Sequence, residues 1–206
     1  MTTPRHPKPV IGLVGGIGAG KSSVANALAR HGGRVVAGDP LGHEALEQQD
    51  ILDRIADAFA RRDILTPEGK VDRKKLGRVV FPSPVERSRL EHLVHPYIED
   101  RIREEIDKAQ ADPGVKFVVL DAAVMLEAGW DDVCDKLIYV DAPRPVRLAR
   151  VKDQRGWSET ELTNREAVQM PAEKKKERAD VVIDNGGLPE ATSSQVDQLV
   201  KGWKLV

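Results

Sequence analysis

One cysteine, Cys134, is all the thiol chemistry in the 206-residue sequence. It excludes an internal disulfide framework and fits a reducing compartment. Long hydrophobic runs are also missing, and no segment reaches the roughly 20 apolar residues that span a bilayer. The opening MTTPRHPKP has charge and prolines but no apolar stretch before a cleavage site, so no secretory leader is expected. Excess charge of either sign is absent, with 32 basic residues against 33 acidic. That balance argues against a protein held to nucleic acid by global positive charge. Local basic runs such as EKKKER at 173–178 read first as solvated helix faces and second as phosphate-facing surfaces. Internal repeats and low-complexity tracts are lacking too, so the length describes one globular domain with room for small insertions.

What is present is a rhythm. Three apolar, β-branched runs read as buried strands: VIGLV at 10–14, FVVLDA at 117–122 and KLIYVDA at 136–142. Shorter ones stand at GRVVAGD, 33–39, and DVVID, 180–184. Helical stretches separate them at 21–31, 145–152 and 158–177, and the tail at 192–206 reads as a final amphipathic helix. The alternation predicts an α/β fold, a parallel five-stranded sheet with helices on both faces. Residues 41–110 break it. They are rich in helix formers, carry turn signals at TPEGK and FPSP and hold no convincing strand, so they read as a helical insertion.

Between the first strand and the first helix lies GGIGAGKS, Gly15 to Ser22. It fits G-x-x-x-x-G-K-[ST] in the strand-to-helix setting that this pattern requires. The backbone N–H groups of Gly16, Gly18, Ala19 and Gly20 would turn inward around the phosphates of a nucleotide such as ATP, helped by the helix N-terminus at Ser22 and Ser23. Lys21 reaches the β- and γ-phosphates, and the Ser22 hydroxyl is a ligand for Mg²⁺. A dinucleotide-binding G-x-G-x-x-G fails on spacing, because Lys21 stands where its last glycine belongs.

A phosphate loop leaves the fate of the γ-phosphate open. The N-K-x-D of a GTPase and the serine-glycine-glycine signature of a transport ATPase are both absent. Arginines do follow the strand at 136–142: Arg144, Arg147, Arg150, Arg155 and Arg165. In small-molecule kinases a mobile lid brings arginines over the transferring group, neutralising charge and excluding water. Ordinary surface roles suit Arg144 and Arg147 better. Arg150 and Arg155, nearer a hinge expected at Gly156, join Lys21 as catalytic candidates. Asp39, read as the end of the second strand, is the candidate base, with a helix N-cap before Pro40 as the alternative. Asp121 ends VVLD and is a candidate metal ligand beside Ser22, with an N-cap as an equal reading.

Together these residues resemble the dephospho-coenzyme A kinase family. The similar stretches are GLVGGIGAGKSSVANAL, GD at 38–39, VDRKKLGRVVF at 71–81, LEHLVHPYI at 90–98, VVLDAAVMLEAGW at 118–130 and RADVVIDNGG at 178–187. They cover nearly the whole chain in the family's order. Ala37 stands where the family often has aspartate, and AVMLE replaces a common proline-leucine-leucine-phenylalanine-glutamate stretch. The resemblance implies a nucleoside-monophosphate-kinase type of fold within a single domain. Its core would be 9–40, 111–142 and 179–206, with a coenzyme A-binding insertion at about 41–110 and a lid at about 143–178. It implies transfer of the ATP γ-phosphate, with Mg²⁺, to the ribose 3′-hydroxyl of dephospho-coenzyme A. Asp39 becomes the base, Arg150 and Arg155 the lid arginines, and Asn185 a residue near the adenine. Arg73, His95, Leu126 and Glu127 join Asp39 on the acceptor side; Pro96 after His95 suggests a turn or helix start. The implied setting is a cytoplasmic monomer whose partner is the small acceptor, with neither nucleic acid nor membrane. The rivals are another small-molecule kinase of the same fold and a P-loop regulatory or nucleic-acid-dependent ATPase.

Overall fold

Strand β1 (Val10–Gly15) is apolar at every position and lies at the centre of the sheet. The computed structural model describes residues 6–60 and 63–205. The first five residues of the charged opening, Arg61 and Arg62 of the expected insertion, and Val206 of the expected last helix lie outside them. With β2 (Gly33–Ala37), β3 (Phe117–Asp121), β4 (Lys136–Asp141) and β5 (Val181–Asp184), β1 forms a sheet of order β2–β3–β1–β4–β5. Every pairing is parallel. All five expected strands are therefore present. β2 ends two residues earlier than its sequence suggests, at Ala37, whose register partner is Asp121.

Alternation along the strands sends side chains to two faces. On one, Ile11, Leu13, Phe117, Val119, Ile138, Val140 and Ile183 pack with α1 (Lys21–Ala29) and α10 (Pro189–Gly202) through Val24, Leu28, Val196 and Val200. On the other, Gly12 has no side chain because Met125, Cys134 and Leu137 fill its space, each within 2.8 Å of where a Cβ would stand. Met125 belongs to the one-turn helix α6 (Met125–Ala128), followed by a 3₁₀ turn at Trp130–Val133.

The remaining helices are α2 (Gly38–Ala45), α3 (Gln49–Ala58), α4 (Arg73–Val80), α5 (Pro84–Ala111), α7 (Arg144–Arg155), α8 (Glu159–Glu166) and α9 (Ala172–Glu177). The expected helix at 158–177 is thus two. Pro171 cannot continue a helix through its missing N–H and restrains the residue before it, so α8 ends and α9 starts afresh. The chain divides into two compact units, one ending at Ala37 and resuming at Arg103, the other Gly38–Ile102.

The second unit is helical, with one antiparallel bridge between Leu65 and Val71 around the TPEGK turn. Asp72 caps α4 by accepting from the Lys74 and Lys75 N–H groups, and Ser83 caps α5 by accepting from Glu86. Those amide contacts hold the exposed Asp72 carboxyl below its ordinary pKa. Pro96 neither starts nor ends a helix: α5 runs through it. An interior proline costs about 3 kcal/mol. Burial of Val94 and Ile98 on one face of α5, flanking the proline, offsets that cost.

Ile138 is fully buried in the core of β4. Ile138→Ala should lower the free energy of unfolding by about 2–5 kcal/mol. Denaturant titration checks this, and a loss under about 1 kcal/mol would show that the face relaxes around the missing atoms.

Candidate active site

The stretch from Gly16 to Gly20 joins β1 to α1, and every carbonyl in it accepts a hydrogen bond. Gly16 O takes the Ala19 N–H at 3.1 Å, and Gly20 O takes those of Ser23 and Val24. The carbonyls between are held by side chains from elsewhere. Arg147 Nη1 donates to Ile17 O at 3.1 Å, and Arg150 Nη1 to Ala19 O at 3.1 Å and, more weakly, to Gly18 O at 3.4 Å. Asn185 Nδ2 donates to Ala19 O at 2.7 Å. In a planar trans peptide the N–H points opposite to the C=O. Pinning Ile17 O and Ala19 O on the outside therefore aims the N–H groups of Gly18 and Gly20 inward, beside those that open α1. Gly18 and Gly20 make this path possible with φ of 76° and 88°, in the left-handed region. A Cβ on Gly20 would also lie 2.2 Å from Asn185 Nδ2. The result is an anion-binding concavity at a helix N-terminus.

Asn185 is buried, and its orientation is fixed from behind. Thr192 Oγ1 donates to Asn185 Oδ1 at 2.9 Å, leaving Nδ2 for Ala19 O. Its backbone N–H donates to Asp141 O, and its carbonyl accepts from Arg150 Nη2 at 2.7 Å. Asn185 and Arg150, expected at the adenine and over the phosphoryl group, thus brace the loop in this conformation. Arg147 was expected to be an ordinary surface arginine, and the structure corrects this. Its side chain is 14% exposed and serves Ile17 O, Ala142 O and Glu166. The signal available in the sequence was its spacing of three from Arg150, which puts both on one face of α7.

Ser22 Oγ donates to Asp121 Oδ2 at 2.8 Å, at the end of β3. The helix after Asp121 is α6, preceded by Val124, so Asp121 is not its N-cap. Among the described residues no group of three or more His, Cys, Asp or Glu side chains forms a metal cluster. A hydroxyl and one carboxylate beside a phosphate cradle still suit Mg²⁺, which takes few protein ligands and completes its shell with phosphate and water.

Asp39 does not end a strand, since α2 has begun at Gly38 and Asp39 lies exposed in its first turn. Pro40 has no N–H to lose there, which lets the helix start early. Arg155 is exposed, 4.9 Å from the Trp157 ring centroid, and Arg165 lies at 4.0 Å from the same ring. Gly156 caps α7 at φ 67°. Leu126 is buried, and Glu127 Oε1 accepts from Met170 N–H at 2.8 Å and faces Lys175 Nζ at 2.9 Å. Lys175 is 3% exposed, so EKKKER is not a uniformly solvated face. An ammonium is retained there because the Glu127 carboxylate and Gln169 meet it. In the second unit, Arg73 opens α4 and donates to His43 Nε2. His95 is half-buried on α5.

A family model described as dephospho-CoA kinase matches residues 9–190. A dephospho-CoA kinase of Bacillus licheniformis is 37% identical over 195 residues, covering 94% of this chain and 96% of that one. A relative of the same name from Geobacter metallireducens is 39% identical and covers 95% of each chain. Among solved structures, TT1252 from Thermus thermophilus superposes with a TM-score of 0.80 at 31% identity, covering 96% of this chain and 98% of its own. A shikimate kinase from Acinetobacter baumannii in complex with shikimate, with a TM-score of 0.53 at 20% identity and covering 98% and 97%, shares the fold.

His95 yields a test that needs no ligand. Burial first, then the neighbouring His92, holds its pKa below the ordinary 6.5 against the opposing charges of Glu91 and Glu99. Well above 6.5 neither the folded nor the unfolded chain holds a proton at this site. As pH falls toward and through 6.5 the unfolded chain takes up the proton first, so folding loses stability. The urea midpoint should therefore drop between about pH 7.5 and about pH 5.5, and more shallowly in His95→Gln. Equal slopes for the two proteins would assign the acid sensitivity to other groups.

Proposed function

The chain belongs to the dephospho-CoA kinase family, and from that premise we propose that it transfers the γ-phosphoryl group of ATP to the ribose 3′-hydroxyl of dephospho-coenzyme A. The product is coenzyme A, in the last step of its synthesis. The observation that carries this reading is the phosphate loop with its carbonyls turned outward, beside the Ser22–Asp121 pair. A second reading, a small-molecule kinase of the same fold with another acceptor, shares that loop. It is favoured less, because the similarity to dephospho-CoA kinases extends over nearly the whole chain.

The donor side lies within the first unit. The inward N–H groups of Gly18 and Gly20, those opening α1 at Lys21 to Ser23, and the Lys21 ammonium bind the β- and γ-phosphates. Ser22 and Asp121 would hold Mg²⁺, which would supply positive charge against the phosphates. Lys21 stabilises the charge that grows on the bridging and equatorial oxygens as the bond to the leaving phosphate loosens. Arg155 supplies further positive charge from the last residue of α7, and Arg150 keeps the loop in shape. The acceptor side is assigned to the second unit, the insertion, with Arg73 and His95, and to Leu126 and Glu127. Asp39 orients the attacking hydroxyl and accepts its proton as the new P–O bond forms. A monomer acting in the cytoplasm, without nucleic acid or membrane, belongs to the same proposal.

Two outcomes follow. Nucleotide consumption should require dephospho-coenzyme A, with little turnover when a nucleoside monophosphate, DNA, RNA or no acceptor is supplied; equal turnover without an acceptor would make the protein an ATPase. Asp39→Asn keeps the shape of the first turn of α2 and removes the base, so turnover should fall about 10²- to 10⁴-fold with thermal stability and ATP affinity held. Full activity in that variant would remove Asp39 from the chemistry.

A further inference from the structure

Arg147 does more than hold a carbonyl. Its guanidinium joins Ile17 O in the phosphate loop, Ala142 O after β4 and Glu166 Oε1 on α8. Glu166 divides its carboxylate, giving Oε1 to Arg147 and Oε2 to Arg144 Nε at 3.5 Å. Arg144 adds contacts to Glu159 and Thr163 but reaches only α8. The two arginines thus tie α7 to α8 in parallel, and one of them continues to the loop. Gly16 makes the approach possible: a Cβ there would stand 3.0 Å from Arg147 Nη1. The pair is largely shielded, with side-chain exposures of 14% for Arg147 and 26% for Glu166, so screening by water is weak.

We propose that Glu166 is a positioning residue: through Arg147 it fixes the Ile17–Gly18 peptide, and so couples the placement of α8 to the affinity of the loop for the nucleotide's phosphates. This rests on the reading of the loop as the triphosphate site. The physical cause is geometric. Arg147 has rotamers that leave Ile17 O, and the fixed carboxylate of Glu166 holds the guanidinium in the one that reaches it. With the Ile17 carbonyl released, the peptide is free to turn, and the Gly18 N–H no longer points inward in every molecule. Phosphate binding then has to reorder the loop and weakens accordingly. Arg144 offers the contrast, because it staples α8 equally well without touching the loop.

The test measures ATP binding by calorimetry without acceptor, and steady-state turnover with dephospho-coenzyme A, on the full chain. Glu166→Gln should raise the Kd for ATP about 5- to 10-fold, equivalent to about 1.0–1.4 kcal/mol. Arg147→Gln should raise it at least as much, and the double variant should be no worse than the poorer single one, as expected for groups acting in series. Arg147→Lys should recover part of the loss, and Arg144→Gln should lower the melting temperature while leaving ATP affinity unchanged. Turnover at saturating ATP should fall less than affinity does. Additive effects of the two single changes, or an Arg144→Gln loss of affinity equal to that of Glu166→Gln, would overturn the coupling and leave only a helix staple. Failure of the functional reading shows differently, as a wild-type chain that binds ATP and phosphorylates no dephospho-coenzyme A.

Discussion

A loop that aims several N–H groups at one point has to turn the matching carbonyls away from it, and each of those carbonyls needs a donor of its own. Here the donors come from far along the chain: Arg147 and Arg150 on α7, and Asn185 after β5. Much of the first unit is arranged so that they can arrive. β1 stands between β3 and β4, which brings α7, following β4, to one side of the loop and Asp121, ending β3, to the other. The addition of β5 beyond β4 carries Asn185 within reach of Ala19. The glycines are the complement of this belt, absent of side chain where Asn185 and Arg147 press closest.

The polar groups that support the belt are themselves supported. Asn185 is buried, and both ends of its amide are spoken for, one by Thr192 and the other by Ala19. An amide left half-satisfied at that depth would cost about 1–3 kcal/mol, so the network persists as a unit or not at all. Lys175 and Glu127 follow the same logic on the opposite face of the sheet, where α9 lies against β1. Removing Glu127 would leave the buried Lys175 ammonium without its counter-charge, so the lysine persists there only with its partner.

The second unit solves a different problem. Its described residues form no extended sheet, and its helices depend on local devices: the Asp72 cap, the Ser83 cap, and the bridge that closes TPEGK. Ile51, Ile55, Phe59, Ile64, Leu76 and Ile98 are among its buried apolar residues. Glu44 of α2 meets Tyr97 and Arg101 of α5, crossing more than fifty residues of sequence in one polar contact. Helices held this way can keep charged residues such as Asp39 and Arg73 at their first turns, where the backbone needs little from them.

The strands, their parallel order of burial and the phosphate loop were legible in the sequence because each is written in local chemistry. β-branched runs bury on both faces, and glycine is placed where φ must be positive. The loop pattern pointed to Lys21 and Ser22, the end of VVLD to Asp121, and the resemblance to Arg150 and Asn185. The partners of those residues were not legible. Arg147 looked like any helical arginine until α7 was folded against Ile17, and Lys175 looked solvated until α9 closed over Glu127. Asp39 moved from a strand end into a helix because Pro40 favours an early start, and Pro96 lost its power to break α5 because burial on both sides of it outweighs one missing hydrogen bond. Sequence by itself determined where the five strands and the glycine loop after β1 fall along the chain, since period and glycine placement act over a few residues. Tertiary structure alone decided which donor meets which carbonyl, because those contacts join residues 130 or more positions apart, and no local pattern encodes them.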